Sequence, residues 1–117
     1  MFWKKLGINK KLTTDLFESS PGYLKQKDIF INQPIEPAVA SFGKGFSLSP
    51  LKLAQLHASL ANGGYEVTPH VTYDFKNQIS RDFKKRLFSA KASQIILRWM
   101  ETVVNEGSGV GAKIDGY

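Results

Sequence analysis

Residues 49–64, SPLKLAQLHASLANGG, leave the backbone one well-favoured local conformation. Ser49 is a good N-cap, because its hydroxyl accepts from an exposed N–H of a first helical turn. Pro50 suits the first helical position, where its missing N–H costs nothing. Leu53, Leu56 and Leu60 then recur at helical spacing, with Ala54, Ala58 and Ala61 beside them, small enough to let a neighbouring element come close. Asn62-Gly63-Gly64 supplies the left-handed residue on which helices end. The spacing predicts a helix over Pro50–Ala61. A second helix is predicted after Ser89, with Ala92, Ile96, Trp99 and Val103 on one face and Ile95 and Met100 flanking it. It should fade at Asn105 and stop at Gly107.

Little else is periodic. Met1 to Leu6 reads as the end of a helix stopped by Gly7. Asn9 to Asn32 has no sustained pattern and contains the turn signal Ser19-Ser20-Pro21-Gly22, and Pro34 and Pro37 extend the irregular path. A connection of that length is unusual in a compact domain unless it lies on a larger body. Tyr65 to Tyr73 alternates imperfectly around Pro69 and reads as an extended or edge segment. Asp74 to Arg86 is polar and basic, a surface loop with a short strand or turn.

The composition, 42% hydrophobic and 22% charged, is that of a globular chain and not of a disordered tail. Cysteine is absent, which excludes disulfides, thiolate metal ligands and a cysteine nucleophile. No apolar run approaches the ~20 residues of a membrane-spanning helix, and no signal-peptide core follows Phe2-Trp3-Lys4-Lys5. The net charge is +6. Two clusters carry much of the excess, Lys4, Lys5, Lys10 and Lys11 early and Arg81, Lys84, Lys85 and Arg86 later. A positive surface attracts nucleic acid, anionic lipid or acidic polymers. Nothing specific to nucleic acid accompanies the charge, so a solvated face is the simpler reading and no nucleic-acid partner is expected.

Two Ser-x-x-Lys patterns occur, Ser41-Phe42-Gly43-Lys44 and Ser49-Pro50-Leu51-Lys52. In serine acyl-transferases this spacing sets a lysine amine one turn from the hydroxyl it activates. With 10 Ser and 13 Lys in 117 residues, chance supplies about one such match. Gly43 makes the first a poor helix, and Ser49 is better used as a cap. His57 and His70 lack a spaced partner, so metal binding has no support. Gly43-x-Gly45 and Gly107-x-Gly109-x-Gly111 do not open a helix after a strand, as a phosphate-cradling fingerprint must. No catalytic, cofactor-binding or metal-binding residue is assigned, and no cofactor is expected.

The stretch Ser41 to His70, SFGKGFSLSPLKLAQLHASLANGGYEVTPH, closely resembles a block of class B penicillin-binding proteins, S-F-G-x-G-x-x-x-S/T-P-x-Q-L-A-x-x-Y/F-A-x-L/I-A-N-G-G-x-x-x-x-P-H. Lys52 stands where glutamine is usual, and His57 where an aromatic or aliphatic residue is common. The flanks agree in order. Leu6-Gly7-Ile8 with Glu18 to Gly22 resembles the family's F-G-F/L-G and E-x-x-G. Ser89 to Val104 resembles its S-x-x-x-x-x-x-I/V-x-x-x-M-x-x-V-V helix, and Gly107 to Tyr117 the glycine-rich turn and G-Y before the strand bearing K-T-G.

The resemblance implies an α+β fold, with residues 1–117 forming the C-terminal part of a β-lactamase/transpeptidase-like domain, mainly α-helical with one or two short strands and cut before the K-T-G strand. It implies a parent D,D-transpeptidase that cross-links peptidoglycan stem peptides through a serine acyl-enzyme and is acylated by β-lactams. That parent would be bound to the bacterial plasma membrane with this domain on the outer, periplasmic side, beside other cell-wall synthesis proteins of division or cell shape. The family places S-x-x-K and S-x-N before residue 1 and K-T-G after Tyr117, and neither S-x-N nor K-T-G occurs in this chain. The piece is therefore expected to buttress a cleft and to be inactive alone. The alternatives are a small basic helical module that binds nucleic acid or an acidic partner, and a degenerate paralogue kept as a scaffold.

Overall fold

The two helices with strong punctuation form where their caps place them. In the computed structural model, which describes residues 2–16, 20–73 and 85–116, helix α4 spans Pro50–Ala61 and α5 spans Ala90–Glu106. The Ser49 hydroxyl accepts from Lys52 N and the Ser89 hydroxyl from Ala92 N, each at 3.1 Å. Gly107 closes α5, its N–H donating to Val103 O at 3.1 Å. Gly64, with φ +99°, ends the turn after α4 and donates to Ser59 O at 2.8 Å.

The N-terminal half is more regular than its sequence suggests. Helix α1 spans Phe2–Lys5 and stops at Gly7, φ +65°. Strand β1, Tyr23–Leu24, pairs antiparallel with β2, Phe46–Ser47, in the register Tyr23↔Ser47 and Leu24↔Phe46. Between them lie α2, Lys27–Asn32, and α3, Ile35–Ser41. This corrects the reading of residues 27–37 as irregular. Helices of six and seven residues are too short to display a period, and their Ile31 and Ile35 are exposed. Pro34 caps α3 and Pro37 lies in its first turn, where no intrahelical donor is lost.

Burial is shallow. Among the described residues, the buried apolar side chains are Leu6, Ile8 and Ala40. Ile8 O accepts from Gly22 N at 3.0 Å, so the start of the chain is tied to the entry of β1. Trp3 stacks obliquely on Phe46, ring centroids 5.1 Å apart, and holds α1 against β2. Helix α4 packs on α5, and α5 also covers the short 3₁₀ turn Val110–Ala112.

The buried faces of the two helices differ from those expected. On α4 the stripe Lys52, Gln55 and Ser59 is buried, whereas Leu53 is 47% exposed and Ala54, Ala58 and Ala61 face outward. On α5 the buried residue is Ser93, while Trp99 is 66% exposed and Val103 46%. The apolar faces read from the periodicity exist, but this chain covers them only in part: Leu56, Leu60, Ala92 and Ile96 are half-buried.

Residues 65–73 stay extended. Tyr65 forms an isolated antiparallel bridge with Arg86, and Glu66 N donates to Lys85 O at 2.7 Å. Most of the loop expected over residues 74–86 lies outside the described residues. The architecture is α+β: helices around one short antiparallel pair.

Candidate functional site

Each Ser-x-x-Lys pair is split by its surroundings. Ser41 sits at the last residue of α3, and its hydroxyl donates to Ala38 O at 2.6 Å. Gly43, φ +85°, then turns the chain away, and the Lys44 ammonium lies 5.9 Å from the Phe42 ring centroid. The Ser49 hydroxyl is occupied as the cap of α4. The Lys52 ammonium donates instead to Gln55 Oε1 at 2.7 Å. In neither pair is the amine's recorded partner the hydroxyl that it would have to activate. His57 Nδ1 lies 2.8 Å from Leu53 O and His70 Nδ1 3.1 Å from Thr68 O, both on the surface. Among the described residues no group of three or more His, Cys, Asp or Glu could hold a metal ion.

A polar spine runs along the buried side of α4. Beyond Lys52, the Gln55 amide donates to Val67 O at 2.7 Å and Ser59 Oγ to Gln55 O at 2.8 Å. These bonds dock the extended segment after α4 onto the helix. Burial pulls the Lys52 amine below the ordinary lysine range; Glu66 partly opposes this and Lys85 adds to it. The spacing 52, 55, 59 is itself helical, so a search for polar stripes would have found this face.

Asp15 makes a long-range polar contact with Val71 and Thr72 that had no sequence signal. Its carboxylate accepts from Val71 N at 2.9 Å, Thr72 N at 2.5 Å and the Thr72 hydroxyl at 2.6 Å. The Thr72 hydroxyl, with the two backbone N–H groups, holds its pKa at about 2. The partners are more than fifty residues apart in sequence.

The fold also joins the two basic clusters. A cavity of about 540 Å³ is lined by Lys4, Lys5, Lys10 and Lys11 from the first and by Lys85 and Arg86 from the second. Lys52 lines it too, and Glu66 is the one carboxylate among the described lining residues. Arg86 lies 4.7 Å from the Tyr65 ring centroid and donates to Gly63 O at 3.2 Å.

Backbone likeness to solved structures defines the class of fold. The chain superposes on a peptidoglycan glycosyltransferase from Burkholderia ambifaria with a TM-score of 0.81, at 20% identity, covering 99% of this chain and 36% of that one. The chain therefore shares the backbone fold of about a third of that protein. Residues 2–117 match the model of the penicillin binding protein transpeptidase domain, and the chain belongs to that family, in its class B branch. It is 34% identical over 131 residues to the peptidoglycan D,D-transpeptidase FtsI homolog of Mesostigma viride, covering 96% of this chain and 22% of that protein. It is 28% identical over 122 residues to the stage V sporulation protein D of Bacillus subtilis, covering 97% of this chain and 19% of that protein. The chain thus spans about a fifth of the length of these relatives.

Proposed function

We propose that the chain is the supporting, non-catalytic part of a peptidoglycan D,D-transpeptidase, whose whole protein cross-links stem peptides through a serine acyl-enzyme and is acylated by β-lactams. The observation that carries this reading is the incompletely covered apolar face of two family-matched helices. Leu53 on α4 and Ile95, Trp99 and Val103 on α5 are all more than a third exposed, and helices with such faces are built to pack on another layer. In the family that layer is a sheet. The chain's role is to back that sheet and hold the cleft in shape, while the nucleophile, its lysine and the K-T-G strand come from elsewhere in the domain. On this reading stem peptides and β-lactams are partners of the whole protein, beside other cell-wall synthesis proteins, and the domain works on the outer side of the plasma membrane. Among the described residues no helix is long and apolar enough to cross a membrane.

A chimaera tests the proposal. Residues 2–117 replace the matching segment of the Bacillus subtilis relative, and labelling by a fluorescent penicillin is measured beside that of the isolated chain. The chimaera should be acylated on the host's serine and the isolated chain on none. Labelling of Ser41 or Ser49 in the isolated chain, or a folded chimaera that takes no label, overturns it.

A further inference from the structure

The cavity between the two basic clusters does not belong to the buttressing role. Among the described residues, seven cations and one carboxylate line it, and like charges gathered in one concavity repel unless a counter-charge sits among them. Glu66 stands 3.7 Å from Lys85, and its charge also acts on Lys52, so this carboxylate is shared between two cations. Lys52 is only 3% exposed. An ammonium carries three donors, and its acceptor among the described residues is the neutral Gln55 Oε1. The ion pairs of the described residues, Lys25–Glu36 and Lys85–Glu66, do not include it. A buried ammonium bonded to a neutral acceptor, with its nearest carboxylate shared, remains costly, and an anion supplied from outside lowers that cost. The Lys52 ammonium also lies close to the Gly7 backbone, 3.4 Å from where a Cβ there would stand, so it bridges α4 and the turn after α1.

Size and donor chemistry narrow the ligand. The volume of about 540 Å³ falls within the roughly 300–1,000 Å³ of sites that take small organic ligands, far more than a halide needs. Several ammonium groups and one guanidinium suit the multiple acceptor oxygens of a tetrahedral oxyanion. We propose that this cavity binds the phosphate or diphosphate group of a ligand, with Lys52 as the buried contact and Lys10, Lys11 and Arg86 completing the shell. Binding of this kind involves no acyl transfer, so it stands or falls separately from the transpeptidase reading.

The test measures binding to the chimaera that carries residues 2–117, with the unaltered host as reference, by isothermal titration with inorganic pyrophosphate, and by co-sedimentation with phosphatidylglycerol-containing vesicles against vesicles of phosphatidylcholine alone. Lys52→Met should weaken binding by about ten-fold or more through loss of a charge-assisted contact. Lys10→Gln/Lys11→Gln, which changes only exposed side chains, should also weaken it and covers the case in which Lys52→Met does not fold. Lys113→Gln, outside the cavity, should leave it unchanged. Saturable pyrophosphate binding with this pattern supports the site with a soluble ligand, and vesicle binding with the same pattern supports it with a lipid headgroup. Absence of both overturns it. So does binding that survives the cavity variants, or an effect reproduced by sodium chloride at equal ionic strength.

Discussion

At the scale of single residues, Asp15 and Lys52 respond to pH in different ranges. Asp15 has its pKa lowered to about 2 by the Thr72 hydroxyl and the two N–H groups. A carboxylate whose folded pKa is depressed contributes in full above its ordinary value, 3.8, and loses that contribution as the pH falls through about 2. Exchange protection of the Val71 and Thr72 amides should therefore hold at pH 5 and drop as the pH approaches about 2. Asp15→Asn should lower it at every pH. Lys52 is a base with a lowered pKa, so the folded state disfavours its charged form. The penalty is present below the folded pKa and disappears as the pH rises toward 10.5. Lys52→Met, which keeps the length and drops the charge, should raise the denaturation midpoint near neutral pH in the absence of an anionic ligand. Gly64 is constrained in another way, since a Cβ there would overlap the Phe88 carbonyl at a positive φ. Gly64→Ala should cost about 2 kcal/mol or more, measured by urea denaturation.

At the scale of elements, the caps act locally and should behave alike. Ser49→Ala and Ser89→Ala each remove an acceptor at a helix start and should each cost about 1 kcal/mol, with fraying of the first turn visible by amide exchange. The exposed faces should behave differently in different settings. Trp99→Ala removes a ring that is 66% exposed here and should change the stability of the isolated chain by well under about 1 kcal/mol. In the chimaera, where the sheet covers that face, the same substitution should cost about 3 kcal/mol. Equal effects in the two settings would show that no layer packs there. The short helices α2 and α3 mark where local reading reached its limit: six or seven residues leave no repeat to detect, and Pro34 and Pro37 look like breakers until their positions in the first turn are known.

At the scale of the whole molecule, the question is whether so small a core can sustain a cooperative fold. Leu6, Ile8 and Ala40 are the buried apolar side chains among the described residues, and large rings such as Trp99 and Tyr73 remain in solvent. Folding must offset about 1–2 kcal/mol of backbone entropy per residue, and a chain that shares its core with another layer does so incompletely when alone. The isolated chain should melt over a broad range and bind hydrophobic dyes, whereas the chimaera should show one sharp transition. A sharp melt of the isolated chain would contradict the buttress reading.

The family and the two long helices were legible in the sequence because caps, the first-turn proline and the stop glycines act over four or five residues and carry their partners with them. Ser49–Gly64 and Ser89–Gly107 fold locally as written. Periodicity likewise marked an apolar face on each helix, but not whether anything covers it. The contacts of Asp15 with Val71 and Thr72, the burial of Lys52 and the meeting of Lys10 and Lys11 with Lys85 and Arg86 were decided by tertiary structure alone. Burial and electrostatic contact depend on which surfaces meet, and those surfaces come from segments tens of residues apart whose approach leaves no local mark on either one.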